Sequence, residues 1–455
     1  MYTLPLLKLL PSFGLNEDGL YDIMADSLDS DNMERFDLYS FMVKTILITE
    51  EYRVYFTAYS RLSKTRPRPL PFLTRVTCHS VVHLSSRIPF MISPFLESVT
   101  FTRVDSRQLG EYLPLLAKES PMLHSLSILE AYGDLDLSYV AQLPQLRVFD
   151  LNLQDALGKT SIKTGRLADR GPCSLKQLVL RESYQPWTDI IGVIHLYRNS
   201  ELSSFSLRSV EKPRKGWSEI FGVLSSQWSH TLTGLTLGIG RVTDINATIQ
   251  TSWLNTFFEP LSSLKNLQLF HLFLHGDTWK NTSCETIISD IGSRWPNLTD
   301  LEFLTGSYIS TGYMNDLPTL TSLTSLSSSF PQLKRACISF DIDSVRITHN
   351  ENTSIPLSKV DHNLESITLV MKSTVEKGEY ELVDRSASLA NHLDRIFPYL
   401  KDVTVEGSYD ATMSGSTVMD LVRHRQNARR LRWQGSGGNS GMSTAWAKAE
   451  TTDCR

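Results

Sequence analysis

The sequence predicts an α/β solenoid: one parallel sheet with a helix returning the chain between successive strands. Three observations predict it. A short apolar pattern recurs along most of the 455 residues, the segments between copies carry helical spacing, and the two ends lack the pattern.

The pattern is clearest in "RWPNLTDLEF" (294–303), where Pro296-x-Leu298 is followed by Leu301 and Phe303. It recurs as "LPFLTRVTC" (70–78), "SPFLESVTF" (93–101), "SPMLHSLSI" (120–128), "LPQLRVFDL" (143–151), "FPQLKRACI" (330–338) and "FPYLKDVTV" (397–405). Copies without the proline are "SLKQLVL" (174–180), "ELSSFSL" (201–207), "TLTGLTL" (231–237), "SLKNLQL" (263–269) and "NLESITL" (363–369). Weaker copies stand at the ends, "MVKTILI" (42–48) and "NARRLRW" (427–433). Their first apolar residues fall at 43, 73, 96, 123, 146, 175, 202, 232, 264, 298, 333, 364, 400 and 428. The intervals run from 23 to 36 residues and average about 30. Leu-x-x-Leu-x-Leu at that period is the signature of leucine-rich repeats, so the array holds about 13–14 irregular ones.

The physics of each element follows the spacing. In Leu-x-Leu the two apolar side chains share one face of a short strand, and the residue between them faces the other way. The leading Leu packs just before the strand, and the proline two residues earlier ends the preceding helix. Helical spacing marks "RQLGEYLPLLAKES" (107–120), "WTDIIGVIHLYRN" (187–199), "GWSEIFGVLSSQW" (216–228), "CETIISDIGSRW" (284–295) and "ASLANHLDRIF" (387–397). Stacked, such units give a curved parallel sheet on a concave face and helices on the convex one. The consensus Asn or Cys eight residues after the first Leu is missing from every copy; Gln154, Ser183 and Gly306 are typical occupants.

Residues 1–42 are expected to form a helical cap, from "LPLLKLLPS" (4–12) and "DSDNMERFDLYS" (29–40). The array is expected to span 43–433, and the Gly/Ser-rich segment 434–455 to be a disordered tail. With 45 basic and 49 acidic residues the formal net charge is −4, which gives no general attraction to nucleic acid or anionic membrane. Five scattered cysteines and the lack of a signal-peptide pattern fit a reducing, cytoplasmic or nuclear location.

Two stretches carry a family resemblance. "MERFDLYSFMVKTI" (33–46) and "RLSKTRPRPLPFLTRVTC" (61–78) resemble a block in F-box/leucine-rich-repeat proteins of mushroom-forming basidiomycetes. Arg35, Phe36, Asp37 and Tyr39 match it, as do Arg66, Pro67, Arg68, Pro69 and Leu70; the motif match covers the first ~80 residues and only the repeat architecture extends beyond. The resemblance implies a substrate-recognition role in an SCF ubiquitin ligase, with Skp1–cullin as partners through an F-box upstream of the block. That F-box is missing here: no Leu-Pro-x-Glu-type opening occurs, so the chain reads as starting downstream of it or as a remnant. The alternative is a stand-alone binding scaffold with no ubiquitin role.

No enzyme signature emerges, and the sequence assigns no catalytic, cofactor-binding or metal-binding residue. His271 and His275 have i, i+4 spacing, but they follow a strand copy and lack a third ligand. "GIGR" (238–241) lacks a dinucleotide fingerprint and reads as a turn. Cys78 and Cys337 lie on repeat strands as packing residues. Asp341 and Asp343 read as a solvated loop, and the basic stretches "KTRPRP" (64–69) and "RHRQNARRLRW" (423–433) as exposed surface. Function is then expected on the concave face, where a protein partner would meet Arg75, Asp150, Arg181, Arg208, Phe270, Asp300, Glu302, Arg335, Asp402 and Glu406. His79, Gln268, Arg430 and Arg432 share that expectation, among many Ser and Thr.

Overall fold

The computed structural model describes residues 3–24 (except 11), 28, 33–49, 54–80, 84–152, 162–163, 174–181, 187–242 (except 213), 257–274, 283–305, 317–341, 345, 362–372, 379–406 and 415–436. The chain divides into two compact units, Met1–Thr282 with Thr305–Asn315, and Ser283–Leu304 with Asp316–Arg455.

Unit 1 opens with an antiparallel hairpin, β1 (Phe13–Leu15) and β2 (Tyr21–Ile23), which the sequence pattern did not announce. Its sheet then runs β3 (Thr45–Thr49), β4 (Arg75–His79), β5 (Ser98–Asp105), β6 (Ser125–Tyr132), β8 (Val148–Asn152), β10 (Gln177–Arg181), β11 (Ser204–Lys212), β12 (Gly234–Val242) and β13 (Leu269–Leu274). Every neighbouring pair is parallel and in chain order; β7 (Leu135–Asp136) and β9 (Ile162–Lys163) form a separate pair. Unit 2 repeats the plan with β14 (Asp300–Thr305), β15 (Arg335–Asp341), β16 (Ser366–Lys372) and β17 (Asp402–Glu406). Helices return the chain between many of these strands, among them Ser106–Glu119, Trp187–Leu196, Arg214–Trp228, Cys284–Arg294, Leu320–Ser329 and Glu379–Ile396. Both units are leucine-rich-repeat α/β stacks.

Strand pairing sets the repeat residues in columns. Val99, Leu126, Phe149, Leu178, Phe205 and Leu235 align in register, and all are fully buried or nearly so. A second buried column holds Phe101, Ile128, Leu151, Leu180, Leu207 and Leu237. The helices close over this face: the Tyr112 ring meets Phe101 edge-on at 5.3 Å, and Tyr197 lies 5.9 Å from Phe149. Burying one such aliphatic side chain is worth about 1.5–3 kcal/mol, so the columns supply most of the stack's cohesion.

The repeats are also joined where each strand begins, because one carbonyl accepts from two successive N–H groups of the next copy. Thr74 and Arg75 donate to Lys44, Glu97 and Ser98 to Thr74, and His124 and Ser125 to Glu97, at 2.8–3.1 Å. In unit 2, Lys334 and Arg335 donate likewise to Thr299, and Glu365 and Ser366 to Lys334. Side chains tie the turns before the strands together as well. The Ser93 hydroxyl donates to the Pro71 carbonyl (2.8 Å), Ser120 to Ser93 (3.0 Å), and the Trp228 indole to Ser200 (3.0 Å).

Three expectations need correction. Copy 263–269 was placed three residues too early: Phe270 pairs with Leu235 in the buried column, so its leading residue is Leu267 and not Leu264. Leu264 is also buried, in the turn ahead of the strand, which is why the pattern fits twice. Second, "NARRLRW" is no strand; it lies in the helix Gly415–Ser436, whose Val418, Met419 and Val422 are buried at helical spacing. Third, two loop expectations fall on strands: "GIGR" sits inside β12 and is not a turn, and Asp341 ends β15, paired with Lys372. His275, Cys173, Asp343, Cys454 and residues 437–455 lie outside the described residues.

Candidate interaction face

The alternation that buries one face of each sheet exposes the other in three rows. On unit 1 the first row reads Thr45, Arg75, Ser98, Ser125, Val148, Gln177, Ser204, Gly234 and Leu269. The middle row holds Leu47, Thr77, Thr100, Ser127, Asp150, Val179, Ser206, Thr236 and His271. A third row follows with Thr49, His79, Thr102, Leu129, Asn152 and Arg181, and then Arg208, Gly238 and Phe273. The face is mostly hydroxyl-bearing, with three arginines.

These arginines are not equivalent. Arg181 spans to the neighbouring strand and grips Asp150 with two hydrogen bonds, Nε to Oδ1 at 2.9 Å and Nη2 to Oδ2 at 2.7 Å. That fork neutralises Arg181 and covers Asp150, which is only 8% exposed although it lies on the open face. Arg75 is exposed on β4. Arg208 runs across β12 and places its guanidinium carbon 4.9 Å from the centroid of the Phe273 ring, two strands away. Gly238 makes the crossing possible: a Cβ there would stand 2.9 Å from Arg208 Cγ and 3.1 Å from its Cβ.

Unit 2 carries a different face. Its rows hold Asp300, Arg335, Ser366 and Asp402, then Glu302, Cys337, Thr368 and Thr404, with Ser339, Val370 and Glu406 beyond. Asp300 accepts from Arg335 at 2.6 Å. Cys337 sits among the acids, and its thiol is pushed up to about 12, first by burial and then by Glu302, Glu406 and Asp300. Cys78 is buried on the core face and its thiol is also pushed well up by burial, so neither cysteine offers much thiolate at neutral pH.

The expected residues thus divide cleanly. Arg75, Asp150, Arg181 and Arg208 lie on the open face of unit 1, and Asp300, Glu302, Arg335, Asp402 and Glu406 on that of unit 2. Phe270 does not: it is fully buried, because the three-residue shift in β13 turns it to the core. The true open-face residues of that strand, Leu269, His271 and Phe273, were missed for the same reason. Gln268 lies just before the strand, and Arg430 falls in the last helix. His271 is on a strand, where residues i and i+4 share a face but stand about 13 Å apart, too far to hold one ion. Among the described residues no group of three or more His, Cys, Asp or Glu could hold a metal, and no helix could cross a membrane.

The matching block of the N-terminal region has a structural role. Phe36 and Leu70 are fully buried, and Arg66 forks onto Asp37 at 2.7 and 3.1 Å. Arg68 pairs with Glu119. Beside them lies exposed apolar surface that sequence reading missed. Leu38, Tyr39, Phe41 and Met42 are 62%, 46%, 52% and 59% exposed. Phe41, Phe72 and Phe95 follow one another at 5.7 and 5.4 Å between ring centroids. Later repeats put Gln145, Ser174 and Glu201 where Phe72 and Phe95 stand, directly before the leading Leu.

No protein-family model matches the chain, and no curated protein matches it. Among solved structures it is similar to a Bacteroides fragilis protein from a structural-genomics programme, at 12% identity and a TM-score of 0.34, over 79% of this chain and 73% of that one. It is also similar to a chain of the LRIM1/APL1C complex, at 12% identity and a TM-score of 0.23, over 87% of this chain and 69% of the other.

Proposed function

We propose that the chain is a non-enzymatic protein-interaction array, the substrate-recognition part of an F-box-type SCF ubiquitin ligase subunit or a remnant of one. Its protein partner is read on the open sheet face. The observation that carries the interaction reading is the second face of each sheet, where among the described residues side chains vary freely while the buried columns stay apolar. Two features support the ligase link. One is the resemblance of residues 33–46 and 61–78 to the basidiomycete block. The other is the exposed run Leu38, Tyr39, Phe41 and Met42 beside it, apolar surface of the kind that an adjoining domain or adaptor covers.

Affinity capture from a basidiomycete extract tests both parts. The full chain is compared with a triple variant, Arg75→Glu, Arg208→Glu and Asp402→Lys, and with the helix-side control Lys118→Glu. Partners should be retained by the control and lost by the triple variant; equal capture by all three would sink the face as the binding surface. A Skp1-type adaptor recovered with the chain extended upstream supports the ligase link, and its absence leaves a stand-alone scaffold.

A further inference from the structure

The cations on the open face of unit 1 are unevenly spent. Arg181 is occupied by Asp150 through two hydrogen bonds. Arg208, next along β11 from the buried Leu207, is exposed, and among the described residues its contact is the Phe273 ring. A guanidinium stacked on an aromatic face keeps its in-plane N–H donors free at the edges. Stacking also holds the side chain flat, so less conformational entropy is lost when an acceptor arrives.

The surroundings hold the pair in place. The open-face residues of β12 are Gly234, Thr236 and Gly238, and the two glycines let neighbouring side chains close over the strand, Ser204 and Leu269 at one and Arg208 at the other. On one side stand Ser204, Ser206 and Arg208, and on the other Leu269, His271 and Phe273. Glycine at 238 is needed for the arrangement, because a side chain there would collide with Arg208 Cγ and Cβ and lift the guanidinium from the ring. Arginine, aromatic and glycine come from three different strands.

We propose that the stacked Arg208–Phe273 pair is the docking point on unit 1 for an acidic, extended segment of the partner protein, with a partner carboxylate on the edge of the Arg208 guanidinium. The inference rests on the open-face reading above and names the chemistry of its partner. Charge complementarity selects that occupant. The three rows of the unit 1 face carry three arginines and one carboxylate, and that carboxylate is already held by Arg181. Nucleic acid is a poorer fit, since tracking a phosphate backbone takes many cations and these rows hold no lysine. The serines of β11 supply hydroxyl donors along the same path.

Fluorescence anisotropy with the intact chain tests the proposal. The probes are a labelled ten-residue Glu/Asp peptide with one central aromatic residue, a Lys/Arg peptide of equal length, and a single-stranded oligonucleotide. The acidic peptide should bind, and Arg208→Glu should weaken it by up to about fivefold, the scale of an exposed ion pair. Gly238→Val, which keeps every charge but displaces Arg208, should weaken it too, with unchanged circular dichroism showing that the fold survives. Gly238→Ala serves if the valine variant does not fold. Tighter binding of the oligonucleotide or the basic peptide would overturn the proposal, as would acidic-peptide binding indifferent to both substitutions. If captured partners depend on Arg75 but not on Arg208 or Gly238, the interaction face stands and this docking point falls. If the chain captures nothing, the face reading itself has failed.

Discussion

The two stacks share a backbone and differ in charge. Each has two buried apolar columns per strand set, and each joins successive copies through a carbonyl that accepts two N–H groups. Yet the three rows described for unit 1 hold three arginines to one carboxylate, and those of unit 2 hold Asp300, Glu302, Asp402 and Glu406 to Arg335. The difference teaches that inward and outward residues are independent in this architecture. Alternation along a strand lets the core stay constant while the face takes whatever charge its partner requires.

The sharpest way to break this comparison is to test which residues belong to the core at all. Phe270→Ala should destabilise unit 1 by about 3–5 kcal/mol, as a large buried aromatic does, while Phe273→Ala two strands from Arg208 should cost about 1 kcal/mol or less. Urea titration of the two variants checks it. Equal effects would undo the register of β13.

Unit 2 holds a buried imidazole that unit 1 lacks at the matching turn. His362 donates from Nε2 to the Phe330 carbonyl (2.9 Å) and accepts the Leu364 N–H on Nδ1 (3.1 Å), a neutral tautomer assigned from those partners. Burial lowers its pKa, against a smaller opposing contribution from the Phe330 carbonyl. The folded state therefore binds its proton less readily than the unfolded chain, so stability is full above the ordinary value of 6.5 and declines as pH falls below it. Thermal melts from pH 7.5 to 5 should show the decline, and His362→Gln should flatten it while lowering stability at neutral pH. A wild-type slope unchanged by the substitution would remove His362 as the cause. His392, also lowered by burial, contributes in the same direction and sets the residual slope.

Glu285 works at lower pH. It accepts from Ser283 (2.7 Å), Ser322 (2.7 Å), Thr319 and Thr321 (both 3.2 Å), clasping the start of helix Leu320–Ser329. Burial opposes its ionisation, but these hydrogen bonds, Ser322 first, prevail and hold the carboxyl down to about 2. A depressed carboxyl stabilises above the unfolded value of 4.5 and loses that contribution as pH falls toward 2. Glu285→Gln should cost about 1 kcal/mol at pH 7, and the gap from wild type should close in acid, as read by chemical denaturation. A gap that persists at pH 2.5 would contradict this account.

The smallest effect reads the acidic face directly. In a Cys173→Ser, Cys454→Ser background, alkylation of Cys337 at pH 8 should be much slower than that of a free thiol. Glu302→Gln with Glu406→Gln should speed it, since the two carboxylates help to suppress the thiolate. No acceleration would show that burial alone sets the rate.

Much of the fold was legible because leucines at fixed offsets admit one strand register. The reading slipped where two registers fit: Leu264, Leu267 and Leu269 satisfy the pattern as well as Leu267, Phe270 and Leu272 do. Pairing with Leu235 decides between them, and pairing is not written in a single segment. "NARRLRW" misled in the opposite sense, because three apolar or small residues at strand spacing can also sit on a helix of arginines and glutamine. At the face, Arg75, Asp150 and Arg208 followed from position alone. The Arg208–Phe273 contact did not, since it depends on Gly238 in the strand between, and a glycine in isolation reads as a turn.

The carbonyl that accepts two N–H groups where one repeat strand follows another has a kinetic meaning. Each such bond closes a loop of about thirty residues, and no strand pairing within a unit waits for a distant part of its chain, which keeps contact order low. A unit can then grow outward copy by copy from wherever two neighbours first dock, each closure adding a loop of similar entropy.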